Sequence, residues 1–174
     1  MKPEEVEPLP LNTKHLIMKN QELTSITLIG ISLKSKTTNE HRQSNTDCGN
    51  LWQKFEKESV FNKIENKLSD EIFAVYHNYE GDHTKPFSYF IGCKVAEGTE
   101  VPEDLDSLTT AKGTFHKTVA KGKMPDCVAN AWREIWKKDD SSRAYKADFE
   151  VYDERSHDWQ NAEVDIFIGK TKRK

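Results

Sequence analysis

A chain of 174 residues with a net charge of −3 is the size of one domain able to bury a real core. The charge argues against direct nucleic-acid binding, which needs a basic stripe. No apolar run approaches the roughly 20 residues of a membrane span. Eight phenylalanines, five tyrosines and four tryptophans supply the apolar mass that the low mean hydropathy otherwise lacks. Cys48, Cys93 and Cys127 are widely separated and form no CxxC pair, so neither a disulfide framework nor a zinc site is expected. Three free thiols suit the reducing cytoplasm. The acidic start Met1-Lys2-Pro3-Glu4-Glu5 lacks the apolar stretch of a signal peptide.

Residues 1–20 hold three prolines and mixed charge and read as an extension. From there to residue 174 the chain reads as a single domain. Leu23 to Leu33 alternates in part and predicts a strand. Leu51, Trp52 and Phe55 stand at helical spacing, with Ser44, Thr46 and Asp47 available as caps. Ser59 and Val60 blur the pattern before Ile64. Ile72 to Tyr79 predicts a strand, Gly81-Asp82 a turn, and Phe87 to Val95 another strand. Leu108 to Val119 predicts a strand with a bulge at Gly113. Pro125 and Asp126 open a second helix, with Val128, Trp132, Ile135 and Trp136 as its stripe and Lys137 and Lys138 at its close. Ala147 to Tyr152 and Val164 to Ile168 are the last strands.

The two halves echo each other at three collinear places. Leu51-Trp52-Gln53-Lys54-Phe55 matches Ala131-Trp132-Arg133-Glu134-Ile135. Phe73-Ala74-Val75-Tyr76 matches Phe149-Glu150-Val151-Tyr152. Tyr89-Phe90-Ile91-Gly92 matches Ile166-Phe167-Ile168-Gly169. Three matches in one order imply a duplication. The expected fold is α+β: two β-α-β-β units (about 21–97 and 106–172) related by a pseudo-twofold, with a mostly antiparallel sheet and two main helices.

The twin strands differ at one telling place, where Ala74 is answered by Glu150. Strand alternation puts Glu150 on one face with Tyr152 and Asp148, and Ala74 with Tyr76. Facing units then line a single cleft with these residues, and Trp52 and Trp132 form its walls with Trp136 one turn further. A carboxylate in an apolar wall is costly unless it meets a cation, and aromatic faces attract cations too. A flat, lipophilic, cationic ligand satisfies both. The residues alone leave the plainer reading open: strand glutamates usually face solvent opposite a lysine, and tryptophans at helical spacing are more often core than pocket.

Leu51-Trp52-Gln53-Lys54-Phe55, Phe73-Ala74-Val75-Tyr76-His77-Asn78-Tyr79, Phe90-Ile91-Gly92 with Val95, and Asp148-Phe149-Glu150-Val151-Tyr152 resemble the GyrI-like small-molecule-binding domain. That module is the effector-binding domain of AraC-type and MerR-type bacterial transcription regulators. The resemblance spans about residues 21–172. It implies two β-α-β-β repeats around a ligand cleft and a cleft glutamate at Glu150 that engages lipophilic or cationic, drug-like compounds. It also implies an aromatic lining, which Tyr76, Tyr152, Trp52, Trp132 and Trp136 can supply. Family members include multidrug sensors, stand-alone binders such as a gyrase inhibitor, and hydrolases of cyclopropane-bearing compounds that use a glutamate and a tyrosine, here Glu150 and Tyr76. The 20 residues before the domain are too few for a helix-turn-helix, so the expected form is a stand-alone binding protein that senses or sequesters its ligand. Hydrolysis ranks second. A protein-interaction module using the acidic run Glu97, Glu100, Glu103, Asp104 and Asp106 ranks third. No cofactor, metal or membrane partner is expected. His77, Glu80, Asp82 and His83 crowd one segment, but loop polarity explains them more cheaply than a metal.

Overall fold

Eight strands form one antiparallel sheet in the computed structural model, which describes residues 20–138 and 140–171. They are β1 (Asn20–Leu23), β2 (Ile26–Ser32), β3 (Ile72–His77), β4 (Ser88–Lys94), β5 (Asp106–Thr110), β6 (Gly113–Gly122), β7 (Ala147–Tyr152) and β8 (Ala162–Lys170). The helices are α1 (Gln43–Lys57), the short α2 (Val60–Lys63) and α3 (Asp126–Lys137). Most of residues 1–20, read above as an extension, lie outside the described residues. Across the sheet the order is β1-β6-β8-β7-β3-β4-β2-β5. The fold is thus α+β, with the two units side by side and their twin strands β3 and β7 in contact at the centre.

The register there is informative. Ala74 pairs with Glu150, Phe73 with Val151 and Val75 with Phe149. Ala74 and Glu150 are the matched positions that pair with each other, while Phe73 pairs with the twin of Val75 and Val75 with the twin of Phe73, so the pseudo-twofold axis runs through the Ala74–Glu150 pair. The Ile-Gly that closes the third repeated motif also has a spatial reason. A Cβ on Gly92 would stand 2.3 Å from the Ile29 carbonyl oxygen, and one on Gly169 would stand 2.9 Å from that of Ala147. Only glycine permits those close backbone approaches.

Two strand expectations are corrected. Leu23 to Leu33 is not one strand but β1 and β2, split at Thr24-Ser25. Leu108 to Val119 is not one bulged strand but parts of β5 and β6, split at Ala111-Lys112. Each pair parts to opposite sides of the sheet: β1 lies on β6 while β2 lies on β4 and β5. In a flat sheet β1 and β2 would stand about 29 Å apart at ~4.8 Å per strand, yet the two-residue link reaches only about 11 Å. The sheet must therefore roll until its edges meet. The enclosed face carries Ile26, Leu28, Phe73, Val75, Phe90, Phe115, Phe149 and Val151, a core built from strands alone.

The other face is covered by helices. Leu51 and Phe55 of α1 with Val60 of α2 pack on Ile29, Ile31, Ala74, Tyr89 and Ile91. Trp132 of α3 packs on Ala120, Val164, Ile166 and Ile168, with Val128, Ile135 and Trp136 beside it. Ser44, Thr46 and Asp47 are not caps, because α1 begins earlier, at Gln43. They lie inside its first turns, where Asp47 accepts the Thr37 hydroxyl at 2.6 Å and ties the helix to the preceding segment. Asp126 does open α3, directly after Pro125, as its side-chain charge favours.

Candidate functional site around Glu150

Glu150 lies on the axis, beneath the junction of the two helix layers, and is 1 % exposed. Its partner across the ladder is Ala74, whose methyl group leaves the carboxylate room. The twin tyrosines approach it from either side. Tyr76 Oη donates to Oε2 at 2.7 Å and Tyr152 Oη donates to Oε1 at 2.5 Å. The indole Nε1 of Trp132 donates to Oε2 at 2.6 Å. Strand parity accounts for the tyrosines, each two residues from the axis on the same face. The buried stripe of α3 accounts for the tryptophan.

Three charge-assisted hydrogen bonds, each worth about 1.5–3 kcal/mol, offset the desolvation of the carboxylate. Burial pushes the Glu150 carboxyl above the ordinary carboxylate range, while the hydrogen bonds from Tyr152, Tyr76 and Trp132 pull it back. The same burial, and then the charge on Glu150, raise the phenols of Tyr76, Tyr152 and Tyr89 well above their usual value. They remain neutral donors. Among the described residues, no lysine, arginine or histidine is ion-paired with Glu150.

The rings around Glu150 form a connected cluster. Tyr76 lies 5.0 Å from Trp132, 5.0 Å from Tyr89 and 5.7 Å from Phe87, centroid to centroid. Trp52 meets Tyr152 edge-on at 4.9 Å and donates its Nε1 hydrogen to Tyr89 Oη at 2.8 Å. The two repeat tryptophans therefore bind different groups, since Trp132 holds the carboxylate and Trp52 holds a phenol. Trp136 sits apart from the carboxylate and stacks on His83 at 5.4 Å with the planes 5° apart.

Of the residues singled out in the sequence, the structure brings Glu150, Tyr76, Tyr152 and Trp132 into one hydrogen-bonded group, with Trp52 adjoining and Trp136 beyond it. Tyr89, the acceptor for Trp52, is an addition to that set. Its only sequence signal is its place in a repeated strand motif. A second buried group is also new. Asp148, two residues before Glu150 on the same face, pairs with Arg143 at 2.7 Å, the side chains being 0 % and 2 % exposed. It also accepts the Tyr79 hydroxyl at 2.6 Å and the Gly169 backbone N–H at 2.8 Å. The polar segment around His77 and His83 has partners of its own: Glu80 pairs with Lys36 at 3.2 Å, and Asp82 accepts from Thr84. Cys48, Cys93 and Cys127 are free thiols, and burial pushes that of Cys93 up to about 12.

Residues 21–169 match the sequence profile of the family described as Cass2, integron-associated effector binding protein. A Bacillus subtilis protein named as a putative transcriptional regulator, YobU, is 27 % identical over 127 residues, covering 70 % of this chain and 78 % of its own. An integron cassette protein from the mobile metagenome of Vibrio cholerae shares the fold at a TM-score of 0.67 with 25 % identity, over 87 % of this chain and 94 % of that one. The structure of SAV2435 bound to tetraphenylphosphonium aligns with a TM-score of 0.71 at 21 % identity, over 88 % and 93 % of the two chains.

Proposed function

This chain belongs to the Cass2 family of integron-associated effector-binding proteins, and from that premise we propose that the layer between α1 and α3 opens to bind lipophilic monocations, with Glu150 as the anchor. The observation that carries the reading is a fully buried carboxylate whose partners are all neutral donors. A buried anion without a counter-ion is costly, and a cation that enters the aromatic lining supplies the missing charge where the dielectric makes it count. The ligand reaches the carboxylate by displacing one of the rings that now enclose it, and Tyr76 and Tyr152, both only half-buried, are the rings that move. The hydrogen bonds they give up are replaced by the ion pair, and the displaced rings become walls.

Tetraphenylphosphonium on SAV2435 supports this ligand class, and the regulator name of YobU supports a sensing rather than a metabolic role. A hydrolytic role for Glu150 with Tyr76 as helper requires a carboxylate free to take a proton from water. Here both carboxylate oxygens are held by donors, so either role requires a ring to move first, and the ligand of SAV2435 supports binding. The net charge of −3 supports a small ligand rather than nucleic acid as the direct partner, and three free thiols support a cytoplasmic setting.

Calorimetric titration with tetraphenylphosphonium, and with the neutral triphenylphosphine oxide, tests the assignment. Glu150→Gln weakens the cation by at least about tenfold, the value of one charge-assisted contact, and leaves the neutral compound unchanged. Equal affinity of wild type and variant for the cation removes Glu150 from the site.

A further inference from the structure

Strand β8 has two chemically distinct faces. Val164, Ile166 and Ile168 lie under α3, whereas Asp165 and Phe167 alternate onto the enclosed face of the rolled sheet. There, beneath the Thr24-Ser25 crossing from β1 to β2, a cavity of about 210 Å³ is lined by Ile26, Phe73, Phe149, Val151 and Phe167, with Asp165 in its wall. The space opens to solvent on one side and its wall is mixed polar and apolar, and its volume admits a single ring with a short arm.

Asp165 is 8 % exposed. Its Oδ2 accepts from Arg155 Nη2 at 2.8 Å and lies 3.5 Å from Lys117 Nζ. Its Oδ1 is buried and has no hydrogen-bond partner. Arg155 is in turn held by Asp153 at 3.0 Å and Glu163 at 3.6 Å. The charges of this cluster are matched, since Lys121 stands opposite Glu163 in the β6–β8 register, and Lys94 and Glu71 are also on the lining. What remains is a buried carboxylate oxygen that lacks a donor. An unmet buried acceptor forfeits its hydration without return, and three phenylalanine rings stand next to it.

We propose that this cavity is a second ligand site, on the opposite side of the sheet from Glu150, for a small aromatic ammonium ion. Its ring packs among Phe73, Phe149 and Phe167 and its N–H donates to Asp165 Oδ1. The site is independent of the Glu150 site described above and does not rest on that reading.

The test is an amide and indole chemical-shift titration of the full chain with benzylammonium and with its neutral counterpart benzyl alcohol. Benzylammonium shifts the backbone amides of Thr24, Phe73 and Phe167 and leaves the Trp132 indole N–H unmoved. Asp165→Asn weakens benzylammonium about tenfold and changes benzyl alcohol by less than about twofold. Thr24→Trp, a change at an exposed position on the rim, fills the mouth and abolishes the shifts for both. The proposal is overturned by any of three results: shifts centred on the Trp132 indole, binding undiminished by Asp165→Asn or Thr24→Trp, or no saturable shift up to about 20 mM, beyond which a contact of this size is not specific.

Discussion

Asp148 and Glu150 are carboxylates on one face of one strand, both buried, two residues apart, and they are satisfied in opposite ways. Asp148 has a cation of its own: Arg143 lies 2.7 Å away, beneath Tyr145 at 4.2 Å from its ring centre. Glu150 has two phenols and an indole. As a charge pair the first arrangement is finished and can only be broken, although Arg143 Nε and Nη1 are buried without hydrogen-bond partners. The second leaves a charge unmatched within the chain. On the reading proposed above, the difference separates a structural ion pair from a ligand anchor.

The largest effect comes from breaking the finished pair. Arg143→Ala strands a buried Asp148 and lowers unfolding free energy by about 3–5 kcal/mol in urea denaturation, whereas Glu150→Gln, which removes a charge that had no counter-ion, costs less than about 1 kcal/mol at neutral pH. A comparable loss in the two variants erases the contrast. Next is the pH dependence. The folded Glu150 carboxyl is raised above its unfolded value, so its contribution favours folding below the ordinary carboxylate value of about 4.3 and is lost as pH rises through the folded value. The melting temperature of Glu150→Gln therefore gains on wild type from about pH 4.3 upward and levels off once Glu150 is ionised. A constant gap from pH 4 to 8, about the span over which a raised carboxyl titrates, contradicts the raised value.

A smaller effect distinguishes the repeat tryptophans. Trp132→Phe removes a donor from the carboxylate and raises the Glu150 carboxyl further, moving the pH profile of cation binding upward. Trp52→Phe removes a bond to Tyr89 only, costs about 1 kcal/mol and leaves that profile in place. Smallest is Trp136→Leu, which loses a stack on His83 worth about 0.5–1.5 kcal/mol and changes tetraphenylphosphonium affinity by less than about twofold. A larger change in calorimetry would bring Trp136 back into the lining.

Much of this site is legible in the sequence because it is built from periodicity. The two-residue repeat of a strand puts Tyr152 beside Glu150 and Tyr76 beside Ala74, and the duplication marks the glutamate as the odd member of a pair. Trp132 follows from its place in a helical stripe. What cannot be read is long-range. Nothing local states that Ala74 lies directly against Glu150, because the pair joins β3 to β7 across the whole middle of the chain. Arg143 sits in a polar loop where an arginine looks solvated, and its partner is fixed only when β7 is in place. The short strands β1 and β5 merge with their neighbours in the sequence because Asn20-Gln21-Glu22-Leu23 and Asp106-Ser107-Leu108-Thr109-Thr110 are mainly polar and exposed. Tyr89 looks like core because it is core; only its hydroxyl reaches Trp52.

The exchange of β1 and β5 makes the duplication indivisible. β1 precedes the first unit in the chain yet extends the sheet of the second through β6, and β5 precedes the second yet extends the sheet of the first through β2. A cut in the loop between β4 and β5 yields fragments 1–97 and 98–174, each carrying a strand that the other needs and each presenting a raw sheet edge alone. The halves are thus complementing parts rather than modules. Because the axis runs between them, neither fragment by itself contains the proposed site: one brings Tyr76 and the space left by Ala74, and the other brings the charge.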